Sequence, residues 1–352
     1  MTSFQNKIFQ EIAKSYAGKN FIVSPLSIYY ILSLAANGAK NSTLSGILSV
    51  LSHQSKEEVN NFNKSILSVA NGFQSVNFAN GLFTKVPTKD TFVQIGNEYK
   101  AKVDLLKDAE QINQWCREAT HEKIPQIINS IGPNDLMVLI NGIYFKGAWR
   151  SPFKEANTKK DNFLNFGKQP NQVDFMKSSG IVVYFENNEV QAVTLNYMQD
   201  FMEALIILPK NESDINDYIK NFSSEKYQEI IEHPTPKKVD LSLPKFKVDF
   251  EAEMKDYLSA LGMNQAFTES ADFTDMLNEK AFIGRVLHKT FLNVNEKGTE
   301  AGAATAMVMS NAWAPPEPPK VMNVNHPFLF IVRTGDLPSG HDMLFISKIE
   351  YL

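Results

Sequence analysis

Asn295-Glu296-Lys297-Gly298-Thr299-Glu300-Ala301-Gly302-Ala303-Ala304-Thr305-Ala306-Met307-Val308-Met309-Ser310-Asn311-Ala312-Trp313-Ala314-Pro315-Pro316 contains the stretch that fits neither a core element nor an ordinary linker. From Ala301 to Pro316 it has no charged residue, and it passes from small side chains through apolar ones to proline. Such a segment is too bland for a core and too uncharged for a solvated linker. An exposed loop that carries nothing is one reading of that composition. The other is a segment built to become a strand. With period two, Thr299, Ala301, Ala303, Thr305, Met307 and Met309 share one face, while Glu300, Gly302, Ala304, Ala306 and Val308 share the opposite one. Small residues at the leading end can slip between existing strands. The trailing Pro315-Pro316-Glu317-Pro318-Pro319 cannot donate backbone hydrogen bonds at its prolines and favours polyproline geometry, so insertion would stop before it.

Outward from this segment the chain divides unevenly. Phe4, Ile8, Phe9, Ile12 and Tyr16 recur at helical spacing. Ser24-Pro25 reads as an N-cap with proline at the first helical position, opening an apolar helix over Leu26 to Ala36 that stops near Asn37-Gly38. Ile112, Trp115, Ala119, Ile124 and Ile127 to Ile128 predict a helical stretch from Gln111 to Ile128, interrupted near Pro125. Strand signals dominate later. Val138 to Phe145, Ala204 to Leu208, Val239 to Leu243, Phe328 to Val332 and Met343 to Ile346 read as strands, the last two joined by a turn at Gly335-Asp336-Leu337-Pro338. With no repeat and no interdomain linker, the pattern predicts one mixed α+β domain over residues 1–352.

Composition narrows the function. The chain has 352 residues, 43% of them hydrophobic and 21% charged, enough to bury a large core. A net charge of -4 supplies no cationic excess for nucleic acid. One cysteine, Cys116, cannot close an intramolecular disulfide. The longest wholly apolar runs are five residues, far short of a membrane span, and the start Met1-Thr2-Ser3-Phe4-Gln5-Asn6-Lys7 has no apolar signal region. The expected compartment is therefore the cytoplasm, or the extracellular space by a route without a cleaved signal peptide. His53, His121, His233, His288, His326 and His341 form no local metal motif, and no nucleophile elbow, phosphate loop or dinucleotide fingerprint occurs. Cys116 and His121 lie on different faces of a helix, which argues against a thiol nucleophile. His288 reads as a core histidine with a satisfied hydrogen bond. Sequons begin at Asn41, Asn63, Asn211 and Asn221 and are expected to be unused without a secretory signal.

Ordered blocks along the chain then carry a resemblance. They are Asn20-Phe21-Ile22-Val23-Ser24-Pro25-Leu26-Ser27-Ile28, Gly38 to Thr43, Ala79-Asn80-Gly81-Leu82-Phe83, Ile112 to Trp115 and Leu139 to Trp149. Leu243-Pro244-Lys245-Phe246, Leu261 to Met263, Ala271 to Phe273, Val286-Leu287-His288-Lys289, Asn295 to Ala301 and His326 to Phe330 follow. In these the chain resembles the serpin superfamily over nearly its whole length. Gly142 and Ala148 stand where the family more often has Ala and Asn, the Pro315 to Lys320 stretch is long, and the C-terminus lacks the usual Gly and final Pro.

The resemblance implies a serpin fold of three β-sheets and about nine helices, with an exposed reactive-centre loop at about 296–320. It implies an inhibitor, not an enzyme, with no cofactor and no metal. A serine protease attacks the loop, forms an acyl-enzyme, and is trapped as the cleaved loop enters the main sheet as a strand. The intact fold would then be a kinetic trap. A non-inhibitory binder or chaperone on the same scaffold is the alternative. The hinge would comprise Glu296, Gly298, Thr299, Glu300, Ala301, Gly302, Ala303, Ala304 and Thr305, with Gly298 giving it freedom. By matching position, Ser24, Ser27, Asn141 and His288 would form a polar cluster beneath the opening sheet, and Trp149, Lys245 and Glu296 would lie where the loop first enters. In the family the residue matching Glu296 lies seventeenth before the cut, which gives a reactive bond at Ala312-Trp313, with Met309-Ser310 as its rival and cleavage after Trp313 as a third option. Either of the first two suits a chymotrypsin- or elastase-like serine protease, and no Arg or Lys between Ala301 and Pro319 invites a trypsin-like one. Lys56 to Phe73 lacks a basic cluster, which argues against heparin activation. A monomer is expected, with a loop-sheet polymer as the alternative.

Overall fold

The computed structural model describes residues 3–70, 72–165, 167, 169–199, 201–210, 215–299, 318–335, 337 and 342–352. The first elements are α1 (Ser3–Ser15), β1 (Phe21–Val23), α2 (Pro25–Gly38), α3 (Asn41–Leu51) and α4 (Lys56–Ala70). Then come β2 (Val76–Thr84), α5 (Asp90–Glu98), β3 (Lys102–Leu105), α6 (Ala109–Ala119) and β4 (Met137–Phe145). The middle holds β5 (Gly147–Ala148), β6 (Lys159–Phe163), β7 (Asn171–Glu186), β8 (Val190–Asn196) and β9 (Met202–Pro209). After α7 (Ile215–Lys220) and α8 (Ser224–Glu232) follow β10 (Thr235–Pro244), β11 (Phe246–Glu253) and α9 (Lys255–Leu258). The chain closes with β12 (Ile283–Asn295), β13 (Gly298–Thr299), β14 (Lys320–Asn323), β15 (Phe328–Thr334) and β16 (Met343–Ile349).

Hydrogen bonding gathers the strands into two sheets. One runs β1-β16-β15-β9-β8-β7-β10-β14, with β6 also on β7. Its 16-residue β7 pairs with β10 along most of its length and with β8 at its end, so two layers that the resemblance sets apart are continuous through one strand. The other runs β3-β2-β4-β12-β13-β5, with β11 on the far side of β12. Its centre is a parallel pair, β4 with β12, registered from Ile283 and Met137 to Phe291 and Tyr144.

All nine residues of β4 are buried, because both of its faces are covered. Leu139, Ile143 and Phe145 join the main core; Val138 and Ile140 join a smaller cluster with Ile112, Cys116, Ile124, Ile127, Ile128 and, from β12, Leu287. On the core side lies α2, capped as expected: the Ser24 hydroxyl accepts from the Ser27 N–H at 3.3 Å, and Pro25 occupies the first turn. Every α2 residue is buried, since it touches β16 of one sheet and β4 and β2 of the other.

The helix expected over Gln111 to Ile128 stops at Ala119. The Thr120 hydroxyl donates to the Cys116 carbonyl and accepts from the Ile124 N–H, and His121 and Glu122 adopt φ of 50° and 63°, so the chain leaves the helix before Pro125. Asn113 holds the segment that follows: its Oδ1 accepts from the Ile127 and Ile128 N–H groups and its Nδ2 donates to the Ile128 carbonyl. The apolar spacing persists because this irregular stretch covers the same sheet face as α6. Among the described residues no helix is long and apolar enough to cross a membrane.

Candidate functional site

The parallel seam between β4 and β12 carries a transverse row of polar side chains. Asn80 on β2 pairs with Asn141 on β4, and Asn141 pairs with His288 on β12. All three are buried. The Ser24 backbone N–H donates to His288 Nε2 at 3.3 Å, which places the ring proton on Nδ1; that N–H donates to Asn141 Oδ1 at 2.5 Å. Asn141 Nδ2 in turn donates to the Ser27 carbonyl at 2.9 Å and to Asn80 Oδ1 at 2.5 Å. The row thus ties three strands to each other and to the start of α2. Burial favours the uncharged ring and pushes the His288 pKa down from 6.5 to about 3.

At one end the seam forks. Beyond Phe291 and Tyr144 the strands no longer pair with each other, and the two residues of β13 lie between their continuations. Thr299 pairs with Val294 on one side and Gly147 on the other; Gly298 pairs with Asn295 and Ala148. Gly298 has φ of 143°, a backbone conformation that side-chain-bearing residues rarely adopt. Trp149 closes the fork: its indole Nε1–H donates to the Asn295 carbonyl and its backbone N–H to the Lys297 carbonyl, both at 3.0 Å.

Glu296 lies at the tip of the β12–β13 turn. Its carboxylate accepts from the Thr158 hydroxyl at 2.8 Å and pairs with Lys245 Nζ at 3.1 Å. Burial alone would raise its pKa, but the backbone, Thr158 and Lys245 contacts outweigh it and hold the group below its ordinary value. At the opposite end of the seam, Arg285 of β12 pairs with Asp135, just before β4, at 3.1 Å. Gly142 admits the covering layer: a side chain there would meet Ile124 Cδ1 at 3.2 Å and the Cys116 sulfur at 3.5 Å. The Cys116 thiol, pushed up to about 12 by burial, is no nucleophile at neutral pH.

The structure therefore brings together Ser24, Ser27, Asn141 and His288 in one cluster, and Trp149, Lys245, Glu296, Gly298 and Thr299 at the fork. Glu300, Ala301, Gly302, Ala303, Ala304, Thr305, Met309, Ser310, Ala312 and Trp313 lie outside the described residues. Three participants were not singled out by sequence reasoning: Asn80, Thr158 and Tyr197, whose hydroxyl meets the Thr299 Oγ1 at 2.7 Å. Asn80 sits inside one of the quoted blocks, but only strand register shows that it meets Asn141.

Comparison with known proteins agrees with this architecture. The family model described as Serpin (serine protease inhibitor) matches residues 1–350. The chain is a serpin. A leukocyte elastase inhibitor of Xenopus tropicalis is 31% identical to it over 94% of each chain, and human Serpin B8 is 31% identical over 94% of this serpin and 93% of its own length. Among solved structures, the thermophilic serpin tengpin in its native state superposes with a TM-score of 0.88 at 29% identity, covering 99% of this chain and 92% of its own. Human thyroxine-binding globulin shares the fold at a TM-score of 0.89 and 22% identity, covering 99% of this chain and 96% of its own.

Proposed function

We propose that this serpin, acting as one domain with a reactive loop at about 296–320, is a suicide-substrate inhibitor of an elastase- or chymotrypsin-like serine protease. The observation that carries the reading is the fork, where Gly298 and Thr299 already occupy the first positions of an additional strand between β12 and the continuation of β4. Continued antiparallel from Thr299, that strand would bring Ala301 to Leu292 and Phe145, Ala303 to Thr290 and Ile143, and Thr305 to His288 and Asn141. The first two pairs of neighbours favour small residues. At the third, a threonine hydroxyl can both donate and accept, so it can take up the partners that Asn141 and His288 lose when the seam parts. Insertion breaks one parallel ladder and makes two antiparallel ones, so the net gain is about one ladder of hydrogen bonds.

The same register bears on the reactive bond. Met309 would reach Met137, the first residue of β4, so the ladder is complete there. Cleavage at Ala312-Trp313 leaves a tether of three residues, about 10 Å, between the finished strand and the acylated residue. Cleavage at Met309-Ser310 would put the attached protease on the last paired position. This favours Ala312 as the residue read by the protease, and with it a small, elastase-like pocket. The alternative at Trp313 lengthens the tether by one residue. The leukocyte elastase inhibitor among the relatives supports the same class.

Incubation with an elastase-like protease should give a complex that survives a denaturing gel, and mass spectrometry should find a released peptide beginning at Trp313. Cleaved serpin beside fully active protease would refute inhibition and leave the non-inhibitory alternative. A peptide beginning at Ser310 would refute the assigned bond.

A further inference from the structure

Tyr197 follows β8 and forms an isolated bridge with Trp149. Its ring is fully buried, stacked on Trp149 at 4.4 Å and 15° and edge-on to Phe145 at 4.9 Å. Gly147 leaves room for it, since a side chain there would come within 2.7 Å of the ring. Held on these sides, the phenol directs its hydroxyl to the Thr299 Oγ1 at 2.7 Å. Thr299 has no exposed surface.

Two paired residues are a short ladder, and a strand that slips by one residue turns every side chain to the other face. A slip at the fork would present Glu300 to the core in place of Thr299, and an alanine to the Asn141–His288 pair in place of Thr305. The hydrogen bond between the Tyr197 and Thr299 hydroxyls opposes such a slip because it recognises a hydroxyl at one position only. We propose that Tyr197 is a positioning residue that seats Thr299 in the fork before cleavage, so that insertion begins from a registered end. The role rests on the inhibitory reading for its effect on inhibition, though not for its effect on the hinge. Without the hydroxyl, insertion starts later, and more acyl-enzyme is hydrolysed before the protease is trapped.

The variants are Tyr197→Phe, which keeps the ring, Thr299→Val, which keeps the shape, their double mutant, and Thr299→Ser. The readout is the number of serpin molecules consumed per protease inactivated. Each single variant should raise it at least twofold, the double mutant should raise it no further, and Thr299→Ser should stay near wild type. An unchanged value in Tyr197→Phe, or additive effects in the double mutant, would overturn the assignment. Hydrogen exchange of the intact protein reads the hinge without any protease. The amides of Gly298 and Thr299 should exchange at least threefold faster in Tyr197→Phe, while those of β4 and β12 stay at the wild-type rate and report an intact fold. Wild-type exchange at the hinge would overturn the assignment even if the protein inhibits nothing, whereas faster exchange without any inhibition would leave the seating role standing and remove the inhibitory reading.

Discussion

Asn141 of β4 and His288 of β12 are direct cross-strand partners, and the His288 Nδ1–H donates to the Asn141 side-chain oxygen at 2.5 Å across the seam. The bond joins the two strands that the proposed insertion would separate, and it lies in a place that water does not reach. Holding such a seam closed needs partners that are lost at a cost when it opens, and opening it productively needs replacements. Thr305 would supply them in the inserted state.

The pH dependence follows from the state of that ring. An unfolded chain protonates His288 below about pH 6.5, whereas the folded protein resists until about pH 3. Between those values the unfolded state binds the additional proton, so this contribution is complete above about pH 6.5 and is lost as the pH falls toward 3. His288→Gln removes the titration. The variant's melting temperature should fall less steeply than wild type between pH 6.5 and 4, and parallel slopes would contradict the assigned state.

Replacing Asn141 with Ala strips partners from His288 Nδ1, Asn80 Oδ1 and the Ser27 carbonyl at once. Each buried group left unpaired costs about 1–3 kcal/mol. The intact protein should lose about 2 kcal/mol or more in a urea titration. The loop-cleaved protein should lose less, because there the strands are already apart. An equal loss in both forms would remove Asn141 from the seam-holding role.

The parts of the fold that local pattern governs were legible in the sequence, and those that depend on distant pairing were not. The Ser24-Pro25 cap and the apolar run after it define α2 within a few residues, since cap, proline and burial all act within one element. The end of α6 was missed because Ile124, Ile127 and Ile128 keep a helix-compatible spacing while packing from an irregular segment. For the same reason nothing local in the sequence singled out Asn80 or Tyr197. Each acquires its role only when Asn141 or Thr299, remote in sequence, is brought beside it. That Thr299 is already seated in the fork likewise required the register of β12 and β5.

Thr290, two residues along β12 from His288, is fully buried and its hydroxyl has no hydrogen-bond partner among the described residues. An orphaned hydroxyl raises the free energy of the intact form, which is one physical source of metastability. Thr290→Val keeps the shape and deletes the polar group. The intact protein should gain about 1 kcal/mol, read as a higher urea midpoint, and loop insertion should slow. A lower midpoint would mean that the hydroxyl is satisfied in the native protein.

The most direct test compares the melting temperature of the intact serpin with that of the same protein nicked once in the reactive loop. If the intact form is a kinetic trap awaiting an additional central strand, the nicked form should melt tens of degrees higher, as about 10 kcal/mol of added ladder and packing would require. Coincident melting curves would contradict the account, because a loop that gains nothing by entering the sheet cannot trap a protease.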